Sequence, residues 1–165
     1  MTKIIISIGA TIVALGGLVW IAQPNASGPA APQIQASNGS LTVLEASRYD
    51  FGNISMAAGK VKYVFKIKNT GTEAVTINKM FTSCMCTSAL LTVGEQKIGP
   101  YGMPGHGFVP TINQVVQPAV EITVEAVFDP AAHGPAGVGQ INRVITLENN
   151  AGAPVELQIA AFVTP

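Results

Sequence analysis

Val61-Lys62-Tyr63-Val64-Phe65-Lys66-Ile67-Lys68 alternates apolar and polar side chains, and Asn69-Thr70-Gly71-Thr72 follows it directly. Side chains two apart in a strand point the same way, so the alternation predicts a half-buried strand closed by a turn. The same pattern recurs on both sides. Ala74 to Phe81 reads as the next strand, with Val75, Ile77 and Lys79 facing away from Thr76 and Asn78. Val120 to Phe128 alternates cleanly and stops at Asp129-Pro130. Gln140 to Leu147 and Val155 to Val163 read as two more strands around an Asn149-Asn150-Ala151-Gly152 turn. No helical periodicity interrupts them. Short strands joined by turns, without helical crossovers, predict an all-β antiparallel sandwich.

Composition agrees. The chain has 165 residues, of which 48% are apolar and only 11% charged. Such a chain buries its apolar surface rather than staying disordered. Its formal net charge is zero, and aromatic residues are not interleaved with basic ones, which excludes electrostatic capture of nucleic acid. Seventeen glycines and 11 prolines suit a fold with many turns.

Two segments precede the domain. Lys3 leads an uncharged run from Ile4 to Ala22, 19 residues long, close to the roughly 20 that a spanning helix needs. Residues 1–24 therefore read as a signal peptide or a transmembrane anchor helix, with the remainder exported. The expected location is the cell membrane with the domain on the outer or periplasmic side, or the periplasm or exterior if the segment is cleaved. Residues 25–40 have linker composition, and residues 41–165 form the domain.

Three motifs stand in order: Tyr49-Asp50-Phe51-Gly52-Asn53-Ile54, then Phe65 to Gly71 with its Asn-Thr-Gly, then Ser83-Cys84-Met85-Cys86-Thr87. Together they resemble the bacterial family DUF1573, over about residues 45 to 163. The resemblance implies an immunoglobulin-like sandwich of the major sperm protein and Hydin type, and no settled activity. Residues 92–117 depart from that pattern and read as an inserted loop.

Soft ligands crowd one stretch. Both cysteines, three of the five methionines and one of the two histidines lie between Met80 and His106. Thiolate, thioether and imidazole select Cu(I) or, less well here, zinc. In an extended segment Cys84 and Cys86 share a face and Met85 takes the other. Met103 and His106 sit in the glycine-rich Gly102-Met103-Pro104-Gly105-His106-Gly107. If the later strands alternate in direction, the Asp129 to Gly139 loop falls at the same end as the cysteines, which adds His133. The candidate metal ligands are thus Cys84, Cys86, Met103, His106 and His133. Met80 and Met85 read as core residues rather than ligands. A cysteine pair in an exported protein is commonly a disulfide, and one closing so small a ring is labile.

Three functions remain open. The first is an exported domain that binds Cu(I). The second is a scaffolding module with a protein partner. The third is a thiol-disulfide redox protein. No triad, paired carboxylates or phosphate loop appears, so no enzyme activity is expected. Asp50 and Asp129, each beside a Phe, read as turn or cap residues.

Overall fold

A computed structural model describes residues 38–105 and 109–165. The expected N-terminal helix and nearly all of the linker lie outside the described residues, as does His106. Among the described residues, no helix is long and apolar enough to cross a membrane.

Ten strands form two five-stranded sheets. In chain order they are β1 (Leu41–Val43), β2 (Arg48–Ser55), β3 (Val61–Asn69), β4 (Val75–Thr82), β5 (Thr87–Val93), β6 (Gln96–Tyr101), β7 (Gln114–Val116), β8 (Glu121–Phe128), β9 (Gly139–Asn149) and β10 (Val155–Thr164). One sheet runs β1-β3-β8-β5-β6 and the other β2-β10-β9-β4-β7. The sandwich expected from the alternation is present. One pair corrects the antiparallel expectation: β2 lies parallel to β10, with Tyr49 opposite Ile159. These strands are far apart in sequence, so no turn dictates their relative direction.

The core lies between the sheets. Phe65 and Ile67 of β3, Ile122 and Val124 of β8, Ile145 and Leu147 of β9, and Leu157 and Ile159 of β10 are all buried. Each aliphatic or aromatic side chain so removed from water contributes about 1.5–3 kcal/mol. In β4 a bulge shifts the phase. Ile77 pairs with Asn149 but Lys79 pairs with Glu148, leaving Asn78 extra. Met80 and Thr82 therefore turn inward, and Lys79 turns outward rather than sharing a face with Val75 and Ile77.

Residues 92–117 are only partly loop. They contain the end of β5, the β6 hairpin strand and β7. The connection between is fastened along β4, by Thr82 N–H to the Gly102 carbonyl (3.1 Å) and Ile112 N–H to the Asn78 carbonyl (2.8 Å).

The first motif closes one side of the sandwich. Tyr49 of β2 stacks on Tyr63 of β3 with ring centroids 3.7 Å apart, and Phe51 meets Tyr49 edge-on at 5.0 Å. Gly52 has φ +67° where two β2 residues oppose one of β10, and its N–H donates to Asp50 Oδ1 (2.8 Å). That left-handed conformation favours glycine. Asp50 is thus the turn residue its position suggested.

The Asn-Thr-Gly motif fixes one end. Asn69 is fully buried, yet all its side-chain capacity is used. Its amide donates to the carbonyls of Glu73 (2.8 Å) and Val116 (3.0 Å). Its oxygen accepts from Ser40 N–H (3.2 Å) and Gly71 N–H (3.1 Å). A Cβ on Gly71 would lie 2.5 Å from backbone atoms of Asn38, Gly39 and Ser40, so only glycine admits the chain there.

Candidate functional site

The third motif makes the corner where the chain leaves β4 in one sheet and starts β5 in the other. Alternation ends at Thr82, and Ser83 to Cys86 turn. Thr87 N–H donates to the Cys84 carbonyl (3.1 Å). The two cysteine Cα atoms are 5.3 Å apart, nearer than the roughly 6.6 Å two residues span in a strand. The expected extended segment is therefore corrected to a tight turn. It still brings both sulfurs together, because Cys84 and Cys86 are joined as a disulfide.

Each motif residue has a place. Buried Thr82 shares its hydroxyl proton between the carbonyls of Cys84 (3.0 Å) and Thr87 (2.9 Å). Ser83 N–H donates to the Val144 carbonyl, and Val144 N–H donates back to Ser83 Oγ, both at 2.9 Å. Asp129 N–H donates to the Cys86 carbonyl (2.9 Å). These bonds tie the corner to β9 and to the loop after β8. Asp129 Oδ1 in turn accepts from Ala131 N–H (3.0 Å), the turn role its place before Pro130 suggested.

That loop delivers the first outside group. His133 Nε2 lies 3.2 Å from Cys84 Sγ. The second comes from β9: Arg143 Nε donates to Cys86 Sγ (3.1 Å). Thr87 Oγ1 is 3.7 Å from the same sulfur. One ligand atom from each of Cys84, Cys86 and His133 falls within 4.8 Å of the others. The cysteines are 9% and 3% exposed, while His133 faces solvent. Beside Cys86 is a depression of about 250 Å³, lined by Lys60, Met85, Thr87, Asp129 and neighbours.

Among the residues expected from sequence, Cys84, Cys86 and His133 meet. Met103 is half-buried and follows Gly102, whose carbonyl holds the Thr82 amide two residues from Cys84. Met80 is core, as one reading had it. Met85 is not: it is 55% exposed, because the turn directs it outward. Arg143 was not expected from sequence, although a signal exists. It shares the phase of buried Ile141, Ile145 and Leu147 in β9, so a cation stands at an inward position. Among the described residues its guanidinium pairs with no carboxylate.

Comparison with solved structures shows the fold. A protein of unknown function from Porphyromonas gingivalis W83 is similar at a TM-score of 0.52 and 15% identity, over 82% of this chain and 51% of that one. This chain thus spans about half of that protein's length. A family 123 glycoside hydrolase from Clostridium perfringens is similar at 0.50 and 6% identity, over 77% of this chain and 27% of that one. The ASH/PapD-like domain 7 of human CEP192 aligns over 87% and 96% at 12% identity, with a lower TM-score of 0.44. No curated protein matches the sequence. The family model that matches covers residues 42–100, the span that holds all three motifs. It is the family those motifs resemble, DUF1573, a protein of unknown function.

Proposed function

We propose that this chain is an exported, non-catalytic interaction module that binds an extended segment of a protein partner along strand β2. The observation that carries the reading is the contrast among the four sheet edges. β1 and β7 have three residues each. β6 has six residues, one of them Pro100. β2 is eight residues long despite its bulge at Gly52, contains no proline, and ends its sheet among the described residues. A long open edge is a template for an added strand, which main-chain hydrogen bonds hold and side-chain pockets select. Phe162, 49% exposed, stands next to it on β10 beside a depression of about 210 Å³ lined also by Asp50, Asn53 and Gln140. The disulfide suits an oxidising compartment, and the Lys3 and Ile4–Ala22 segment supplies the export signal.

Panning a random decapeptide library on the full chain tests this. Enriched peptides should protect β2 amides from hydrogen exchange and bind Phe162→Ser at least about tenfold more weakly, as loss of a central aromatic contact does. Peptides that protect other strands, or bind the variant equally, contradict it.

A second reading has its own observation. The convergence of Cys84, Cys86 and His133 favours a soft-metal site, with Cu(I) the preferred ion. Its test is a Cu(I) titration of the reduced chain against a competing chelator. Binding should be lost in Cys84→Ser/Cys86→Ser and weakened in His133→Ala. Weakening in Met103→Ala/His106→Ala would extend the site to that loop. Equal binding by the cysteine variant excludes the reading.

A further inference from the structure

We infer that the corner is a redox-gated Cu(I) site, shut by the Cys84–Cys86 disulfide and opened by reduction, with Arg143 balancing the charge of the loaded form. This rests on the soft-metal reading above and adds its control and its counter-charge. Disulfide sulfurs are not thiolates, and thiolates are what bind soft metals. In the present state only His133 offers a ligand of full strength. Reduction supplies the other two. One equivalent of a dithiol gives up two electrons and two protons. Its own sulfurs join, the bond between the cysteine sulfurs breaks, and each cysteine gains a hydrogen. Metal binding then releases both protons to solvent.

Charge and ligand count choose the ion. Two thiolates, a neutral imidazole and Cu(I) sum to one negative charge. Arg143 Nε is already 3.1 Å from Cys86 Sγ, half-buried and with no carboxylate of its own among the described residues. Its positive charge makes the assembly neutral around two buried sulfurs, where uncompensated charge is costly. Zn(II) in the same set would be neutral by itself, leaving Arg143 uncompensated. Zinc also wants a fourth ligand, whereas the group of His, Cys, Asp and Glu side chains among the described residues holds three. Access is in place: Cys86 and exposed Met85, whose thioether is a soft group, both line the depression.

The test uses the purified full chain without oxygen, in two states, oxidised and reduced by a dithiol that is then removed. Alkylation and intact mass count the thiols, and a Cu(I) chelator reads the affinity. The expected result is no free thiol and no competitive Cu(I) binding in the oxidised state, and two thiols and one Cu(I) in the reduced state. Arg143→Gln should bind Cu(I) about 10- to 100-fold more weakly, the usual effect of removing an outer-shell partner, with no loss of zinc affinity and Arg143→Lys restoring Cu(I). Equal Cu(I) binding in both states that Cys84→Ser/Cys86→Ser abolishes overturns the gate and leaves the metal reading standing. Two thiols with no Cu(I) bound overturns both. Wild-type Cu(I) affinity in Arg143→Gln overturns the charge role.

Discussion

The two ends of the sandwich carry the two densest polar motifs, and they spend their groups differently. At one end Asn69 is fully buried and its side chain makes four hydrogen bonds, all to backbone. The Asn69 side chain has no donor or acceptor left for a ligand. At the other end Thr82 and Ser83 also bond to backbone, and Arg143 Nη1 donates to the Asn142 carbonyl (2.8 Å), but side chains there also reach the sulfurs. His133 and Arg143 reach Cys84 and Cys86, and His133 is exposed. One end is built to hold the chain, and the other holds reactive atoms in place. The pairing teaches that a sequence motif does not by itself announce a site. What separates them is whether the polar atoms end on backbone alone or also reach a reactive atom.

The contrast can be broken by substitution. The largest effect is expected from Gly71→Ala, which forces a Cβ to within 2.5 Å of backbone that cannot yield. A loss of about 4 kcal/mol, or failure to fold, is expected in denaturant unfolding. A Met80→Ala variant empties a fully buried core position and should cost about 3 kcal/mol by the same measurement. Asn69→Ala strands two N–H groups and two carbonyls and should cost about 2–4 kcal/mol. Cys84→Ser/Cys86→Ser opens a loop of minimal length, so the loss should stay near 1.5 kcal/mol. Met85→Ala, although one residue from both cysteines, should fall within about 0.5 kcal/mol of wild type because the side chain is mostly in solvent.

Much of this could be read from the sequence, for physical reasons. Alternation in Val61–Lys68 and in 120–128 reports burial on one face, so β3 and β8 were legible almost to the residue. Strand direction alone placed His133 at the cysteine end. Other features depend on distant contacts that leave no local trace. The parallel pairing of β2 with β10 is one. The bulge at Asn78, which sends Lys79 out and Met80 in, is another. β6 and β7 were hidden inside a stretch rich in glycine and proline that reads as loop. Met85 misled because an extended Cys-x-Cys and a turned one look alike in sequence. Arg143 did leave a trace, a charge in an inward phase of β9, and a rule that flags such residues would have found it.

The most direct test of the contrast compares two variants of the oxidised chain by equilibrium unfolding. The His133→Ala/Arg143→Gln variant removes the two groups that reach the sulfurs from outside the corner, and Asn69→Ala removes the hub at the other end. The double variant is expected to stay within about 1 kcal/mol of wild type while Asn69→Ala loses about 3 kcal/mol. A double variant as destabilised as Asn69→Ala would contradict it, and would make the cysteine corner a second structural clasp.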